Sequence, residues 1–239
     1  MNGIHQQQYL KEIGITVWEE RKSIHKEKED SIKLVDFDAK NISKDNKYLE
    51  TELDKNLNHL SNQVATCNLC KLHECRTNTV FGVGDNNADW LVIGEAPGVD
   101  EDLKGEPFVG RAGKLLNSML FSVGVQREDI FITNILKCRP PKNRDPKPDE
   151  AKACEKYLRQ QIKLINPKII LALGRIAAQN LLKSTIPIGK MRGNSYQYPD
   201  YDLPVVVTYH PAYLLRSPSE KRKVWEDLKF AQNIYKKLI

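Results

Sequence analysis

WLVIGEAPGVDEDLKGEPFVGRAG, residues 90–113, is the segment from which the rest of the chain can be interpreted. An apolar run at 91–93 precedes Gly94, and the loop beyond it is rich in glycine, proline and acidic residues. Apolar runs of this length between turn residues are typical of buried strands. In an open α/β sheet the ligand site lies at the carboxyl ends of the strands. The segment therefore predicts a buried strand that ends in a candidate functional loop, although a plain surface turn has a similar composition.

The residues that follow alternate between strand and helix patterns. Strands are predicted at 90–94, 130–133, 168–173 and 204–208, and helices at 111–123, 148–165, 174–183 and 218–237. Such alternation indicates parallel strands joined by right-handed crossovers, with helices on both faces. We therefore predict a three-layer α/β/α sandwich around a four-stranded, mainly parallel sheet.

The N-terminal part differs in composition from this core. Residues 1–24 contain a short amphipathic helical pattern that ends near Trp18, and residues 25–47 are dense in charge and poor in large apolar side chains. A segment of the second kind cannot bury enough apolar surface to order itself, so it is interpreted as a linker. A further helix is predicted from near Tyr48, and it begins a domain that covers residues 48–239.

Composition limits the class of protein. The 239 residues carry a net charge of +6, and residues 61–239 alone hold 27 Lys and Arg against 19 Asp and Glu. A basic surface suits a polyanion such as nucleic acid, although it also serves solubility. No run is long enough to span a membrane and the N-terminus lacks the pattern of a signal peptide, so we expect a cytoplasmic protein.

The cysteines form two pairs with different spacing. Cys67 and Cys70 make a C-x2-C hook, whereas fifteen residues separate Cys138 from Cys154. Four thiolates from two such units can hold an iron-sulfur cluster or zinc. The wide second spacing favours the bulkier cluster, since zinc ribbons usually repeat the hook. Cys75 is interpreted as a bystander, and nearby His73 is an alternative ligand.

Two further strand ends carry polar residues. Asn134 ends the second strand, and its amide offers a donor and an acceptor that match the edge of a nucleobase. The loop beyond, LKCRPPKNRDPKP, contains Arg139 and Arg144. These arginines are interpreted either as contacts to DNA phosphates or as ordinary surface charges. The fourth strand ends in YHPAYLLR, where His210 is expected to point out of the sheet. Its two leucines suggest a wedge that enters a duplex, or side chains that return to the core.

Together GEAPGVDEDLKGEPFVGRAG, TNILKCRPPKNRDPKP, HPAYLLR and the four paired cysteines resemble the iron-sulfur family 4 uracil-DNA glycosylases, over about residues 60–239. The resemblance implies an enzyme that flips uracil out of DNA, excises it and so initiates base excision repair. It also implies the α/β/α sandwich, uracil-containing DNA as the partner, and a [4Fe-4S] cluster. The cluster ligands would be Cys67, Cys70, Cys138 and Cys154.

The same resemblance implies a substrate pocket. Phe108 matches the aromatic residue that stacks on uracil, and Asn134 matches the residue that reads the uracil edge. Gly94 and Ala96 lie in the motif that binds the substrate. Related family 1 enzymes carry an Asp where this chain has Ala96, so the carboxylate that handles water must come from elsewhere in the loop.

Catalytic and DNA-contacting residues follow from the resemblance as well. His210 matches the residue near uracil O2, where negative charge develops. Glu95 and Glu101 are both candidates to position water and to stabilise the sugar cation. The residues expected to contact DNA are Arg139, Arg144, the intercalating Leu214 and its phosphate partner Arg216.

The N-terminal segment and the competing functions complete these expectations. QQQYLKEIGITVWEER, within residues 1–24, resembles the chi-binding segment of the psi subunit of bacterial DNA polymerase III. The resemblance implies the chi subunit as a partner. The alternative is a helix docked on the protein's own core.

A non-catalytic, replisome-associated DNA-binding module is the competing function. A zinc-stabilised hydrolase would need a nucleophile or an open metal site, and the sequence offers neither. We expect a monomer.

Overall fold

The computed structural model describes residues 52–239. The predicted partner-binding segment at 1–24, with its proposed chi subunit, and the linker at 25–47 lie outside the described residues, as does the expected helix start near Tyr48. Within the described part of the chain, no helix is both long and apolar enough to cross a membrane.

The described chain alternates between helices and strands, as predicted. The helices are α1 Glu52–Ala65, α2 Val99–Lys104, α3 Arg111–Phe121, α4 Pro148–Ile165, α5 Arg175–Leu181, α6 Ile188–Met191, α7 Pro211–Arg216 and α8 Lys221–Tyr235. The strands are β1 Val83–Gly84, β2 Trp90–Gly94, β3 Ile130–Asn134, β4 Ile169–Leu173, β5 Ser195–Gln197 and β6 Pro204–Thr208. Short 3₁₀ turns occupy Lys71–Glu74, Pro141–Asn143 and Pro218–Glu220.

The sheet has six strands in the order β1-β3-β2-β4-β6-β5, so the prediction of four strands was wrong. The four central strands are the predicted ones and pair in parallel. β1 and β5 are short antiparallel edge strands. They carry no apolar run because one face of an edge strand reaches solvent, and two or three residues give too little pattern to detect.

The side chains of β2 alternate between two hydrophobic cores, one on each face of the sheet. Leu91 and Ile93 point into a core formed with α1, α4 and α5, whereas Trp90 and Val92 point into a second core formed with α3, α7 and α8. Successive residues of a strand face opposite sides, so a strand buried on both faces is apolar throughout. All five residues of β2, β3, β4 and β6 are buried, which agrees with helices on both faces of the sheet.

Two short helices lie where the sequence predicted loops. α2 lies inside the acidic loop, where the side chain of Glu101, the third helical residue, accepts the backbone N–H of the N-cap residue Gly98. α7 begins at Pro211, a residue preorganised for the first helical position, and His210 precedes it as the N-cap. Six residues are too few to show helical periodicity, so only their capping residues could have indicated them.

Candidate active site

A cavity of about 420 Å³ opens at the carboxyl ends of β2, β3 and β6. Most of the residues proposed for the substrate and for catalysis line it together, namely Glu95, Ala96, Glu101, Phe108, Asn134 and His210. The cavity also receives Pro140, Arg144 and Asp145 from the loop after β3, and Tyr213 and Arg216 from α7. Residues scattered over more than a hundred positions thus converge because parallel strands end at the same edge of the sheet.

Gly94 permits the closest packing in this cavity. It lies opposite Asn134 in the parallel pairing of β2 with β3. A Cβ at Gly94 would lie 2.6 Å from Phe108 Cζ and would also collide with the amide oxygen of Asn134. The absence of a side chain at Gly94 therefore lets the aromatic ring of Phe108 and the amide of Asn134 share one wall of the cavity.

The backbone of Phe108 is held in an unusual conformation. Its φ is 54°, in the left-handed region that non-glycine residues rarely adopt, although the residue is only 7% exposed. Gly113 in α3 makes the arrangement sterically possible, because a Cβ there would collide with the carbonyl group of Phe108. Strained residues of this kind concentrate at ligand sites, where surrounding packing holds them.

Asn134 carries a buried acceptor with no partner. Its side chain is 2% exposed, and Oδ1 makes no hydrogen bond to any described residue. A buried polar atom without a partner costs about 1–3 kcal/mol. A ligand that donates a hydrogen bond at this point would remove that cost, so the amide is prepared for an N–H group.

His210 is oriented by its own helix. Nδ1 accepts the backbone N–H of Ala212 at 3.1 Å, which leaves the proton on Nε2. Burial, and secondarily the charge of Arg216, lower the pKa of His210 to about 4. The ring is therefore neutral at physiological pH and presents one N–H donor. It lies beside Phe108, with ring centroids 5.6 Å apart and planes inclined by 30°.

Glu95 and Glu101 have different surroundings. Glu95 follows β2, and its carboxylate makes no hydrogen bond or ion pair within residues 52–239. Burial, followed by the neighbouring carboxylate of Asp145, raises its pKa to about 7, while Arg175 acts in the opposite direction. A raised carboxyl pKa in a cavity is typical of groups that transfer or orient protons.

Glu101 instead binds its own loop. Its Oε1 accepts the backbone N–H groups of Val109 and Gly110 at 2.9 and 3.1 Å, and Oε2 accepts that of Gly98 at 3.2 Å. Three N–H donors leave little capacity for a water molecule. The geometry therefore separates the two candidates that the sequence left equal, with Glu95 available to solvent in the cavity and Glu101 holding the loop closed.

The arginines proposed to contact DNA differ in exposure and in whether they already bind other residues of the protein. Arg216 is exposed at the mouth of the cavity, whereas Arg144 forms a paired ion contact with Glu150 at 2.5 and 2.8 Å. Arg139 is half-buried, and its Nε donates to Asn143 Oδ1 at 2.7 Å. Two of the three arginines are thus engaged in shaping the loop after β3.

Leu214 does not suit the intercalating role that the sequence gave it. It is fully buried in the core formed with α3 and α8, because the helical turn of α7 directs it toward the sheet. The next residue, Leu215, is 44% exposed beside Arg216. Of the two leucines, only Leu215 is therefore exposed to solvent beside Arg216.

The four paired cysteines lie around one small cavity, in agreement with their grouping from the sequence. Arg76 Nη1 donates to Cys138 Sγ at 3.2 Å, and burial raises the pKa of the Cys138 thiol to about 11. Burial also raises the pKa of Cys70 and Cys154. Cys75 is exposed and does not line the cavity, and His73 binds the carbonyl of Cys70 instead of pointing into it.

Comparison with known proteins shows similarity to uracil-DNA glycosylases. A family model described as the uracil DNA glycosylase superfamily matches residues 81–229. A type-4 uracil-DNA glycosylase of Archaeoglobus fulgidus is 44% identical over 181 residues, which cover 73% of this chain and 91% of that protein. Type-4 uracil-DNA glycosylases of Saccharolobus solfataricus and Sulfurisphaera tokodaii are 45% and 44% identical; the matches cover 73% and 72% of this chain and 84% and 82% of the relatives.

Proposed function

This chain belongs to the type-4 uracil-DNA glycosylases of the uracil-DNA glycosylase superfamily, and on that premise we propose how its residues excise uracil from DNA. The activity is hydrolysis of an N-glycosyl bond, which releases the base and leaves the backbone intact. A base inside a duplex cannot reach the cavity, so the nucleotide must first be flipped out. The single observation that carries the proposal is the unpartnered Oδ1 of Asn134 beside Phe108 and His210 in one cavity.

Recognition of uracil is assigned to Phe108 and Asn134. The ring of Phe108 stacks on the flipped base and replaces part of the stacking lost from the duplex. The Asn134 amide oxygen accepts from N3–H of uracil while its NH₂ group donates to O4. Cytosine presents the opposite pattern, an unprotonated N3 and an amino group, and would leave buried polar groups unpaired. Unpaired buried groups of this kind give strong discrimination.

Bond cleavage is assigned to His210 and Glu95. As the bond breaks, negative charge develops on uracil O2 and the sugar becomes cationic. The Nε2–H of neutral His210 donates to O2, and no proton transfer is needed for it to act. Ionised Glu95 is proposed to orient the attacking water and to stabilise the positive charge that develops on the sugar. Glu101 serves by holding the loop between α2 and α3.

The test is release of uracil by the full-length protein. Single-stranded and U:G duplex oligonucleotides should become sensitive to alkali after incubation, whereas the same oligonucleotides with thymine should not. Strand cleavage before alkali is not expected, because no lysine of residues 52–239 lines the cavity where it could act as a Schiff-base nucleophile. Tight binding of uracil-containing DNA without alkali-sensitive sites would favour the non-catalytic DNA-binding module instead.

For the cysteine cavity we propose a [4Fe-4S] cluster held by Cys67, Cys70, Cys138 and Cys154. Among residues 52–239, four thiols and no carboxylate line the cavity, which fits a group bound only by thiolates. The cluster is preferred to zinc because fifteen residues separate Cys138 from Cys154, whereas zinc ribbons usually repeat the C-x2-C hook. Its role here is to join distant parts of the chain. Because the free thiol of Cys138 stays protonated below a pH of about 11, assembly releases protons.

We expect Cys154→Ser to lose most of the bound iron and sulfide and to unfold at a lower temperature. The matched control is Cys75→Ser, which should keep wild-type iron because Cys75 is exposed and outside the cavity. The test is the amount of iron and acid-labile sulfide per protein molecule, measured after anaerobic purification of the wild type and both variants. Stoichiometric zinc without sulfide in the wild type would assign the four thiols to zinc.

The chi subunit remains a proposal for residues 1–24 that rests on the sequence resemblance alone. We expect a peptide of residues 1–24 to bind purified chi, and Trp18→Ala to weaken that binding without changing uracil release by the full chain. Fluorescence anisotropy of the labelled peptide measures it. Loss of core stability on deleting residues 1–24, with no peptide binding, would support the helix docked on the protein itself.

A further inference from the structure

Lys137 is a fully buried lysine that the proposed chemistry does not use. It is 1% exposed, and its Nζ donates to Thr133 Oγ1 at 2.6 Å, to Gln161 Oε1 at 2.6 Å and to the backbone oxygen of Asn134 at 2.8 Å. All three acceptors are neutral. A buried ammonium is costly unless its donors are all satisfied, so retention of a lysine here calls for a reason beyond packing.

One of these three bonds reaches the substrate site. Asn134 is the last residue of β3, and its carbonyl lies where the ladder with β2 ends. Beyond Asn134, two backbone hydrogen bonds join the segment after β3 to the end of β2 and its loop. Ile135 N–H donates to Gly94 O at 2.9 Å, and Leu136 N–H donates to Glu95 O at 3.0 Å. The ammonium therefore fixes the strand end from which the Asn134 side chain reaches the cavity.

The other end of Lys137 reaches the cysteine cavity. Lys137 lines that cavity together with Cys138 and Cys154. Its carbonyl oxygen accepts the N–H of Val80 at 2.8 Å. One residue thus contacts both the wall of the cysteine cavity and the base-reading asparagine.

We propose that Lys137 is a positioning residue that holds Asn134 in register with Gly94 and so connects the cysteine cavity to recognition of the base. This rests on the proposed role of Asn134 in reading uracil. The side chain of Lys137 does not touch the base; it acts through the backbone of Asn134. Removing the ammonium should therefore loosen uracil binding more than it slows bond cleavage.

The experiment compares the full-length variant Lys137→Met with the control Leu158→Ala. Methionine keeps the length and apolar stem of lysine but donates nothing. Leu158 is 4% exposed in the core formed with α1, α4 and α5, and its side chain has no polar atom that could bond to Lys137, so its truncation measures the effect of instability without loss of a hydrogen bond. For each protein, the inhibition constant of free uracil is measured, and kcat and KM are determined separately. Hydrogen exchange of the Ile135 and Leu136 amides is followed. The iron content of each preparation is also measured.

We expect Lys137→Met to weaken inhibition by uracil and to raise KM by about tenfold, the loss of one charge-assisted hydrogen bond, with a smaller change in kcat. The amides of Ile135 and Leu136 should exchange faster than in the wild type, and iron content should be retained. Leu158→Ala should show neither change. An inhibition constant equal to the wild type, or an equal rise in Leu158→Ala, would overturn the proposal.

If Lys137→Met does not fold, Thr133→Val replaces it as the test variant, because it removes one acceptor of the ammonium at nearly constant volume. Thr133→Val should weaken inhibition by uracil by a smaller factor. An unchanged inhibition constant would count against the proposal. Failure of the proposed function appears earlier, as a wild-type protein that neither releases uracil nor is inhibited by it.

Discussion

His210→Asn is expected to lower kcat for uracil release by about 10²- to 10³-fold, the usual cost of removing one oriented donor from a developing oxyanion. In the structure Nδ1 of His210 accepts the N–H of Ala212, and Nε2–H is the only donor left. The amide oxygen of asparagine can take the place of Nδ1 as the N-cap, but asparagine is too short to place a donor where Nε2 lies. Single-turnover rates on a single-stranded uracil oligonucleotide measure the loss.

The matched control is His210→Gln, whose terminal NH₂ group can lie near the position of Nε2. It should recover part of the rate although its N-cap is poorer, so rate and stability should change in opposite directions between the two variants. Because burial holds the pKa of His210 near 4, the wild-type rate should also show no loss from protonation of this ring above a pH of about 5. A wild-type rate in His210→Asn would exclude the residue from the mechanism.

Glu95→Gln is the second large effect, with an expected loss of about 10²- to 10⁴-fold in kcat, the range typical of general bases. The wild-type rate should rise with pH through about 7, since only the ionised carboxylate can accept a proton from water and burial raises the pKa of Glu95 to about 7. Glu95→Gln should lack this pH dependence. A pH profile of single-turnover rates for both proteins tests the assignment.

Stability provides the control for Glu95→Gln. The folded-state pKa lies above the ordinary carboxyl value, so ionisation of Glu95 lowers the free energy of unfolding as pH rises toward about 7. Glu95→Gln should therefore be at least as stable as the wild type at pH 8. Glu101→Gln should melt at a lower temperature, because an NH₂ group replaces one oxygen that accepts backbone N–H groups. Equal losses of stability in both variants would contradict the separation of roles.

The central sheet could be predicted because its signal is strong at the level of sequence. β2, β3, β4 and β6 are buried on both faces, so each appears as an uninterrupted apolar run between turn residues. α4 was predicted with both ends correct, since Pro148 begins it and an amphipathic pattern continues to Ile165. By contrast β5 carries Ser195 and Gln197 at an exposed edge, and no apolar pattern marks it.

The cavity was predicted in outline, since strand ends and motif residues indicated its members, but their division of labour was not. Whether Glu95 or Glu101 is free depends on which carboxylate meets the N–H groups of Val109 and Gly110, and those lie eight and nine positions beyond Glu101. Asp145 was missed because it reaches the cavity from a loop where charge is common. Leu214 and Leu215 are adjacent leucines, and only the helical turn of α7 decides which one is buried.

The arrangement of the four cysteines has a consequence for the unfolded chain. Cys70 and Cys138 lie 68 positions apart, and residues 71–137 between them contain Glu95, Phe108 and Asn134. A cluster on these thiols, as proposed, would close that segment into a ring in the unfolded chain. Cross-linking a loop of this length removes chain entropy worth about 4 kcal/mol from the unfolded state. Loss of the cluster would then lower the free energy of unfolding of the segment that forms the uracil pocket, even if the cluster takes no part in the chemistry of bond cleavage.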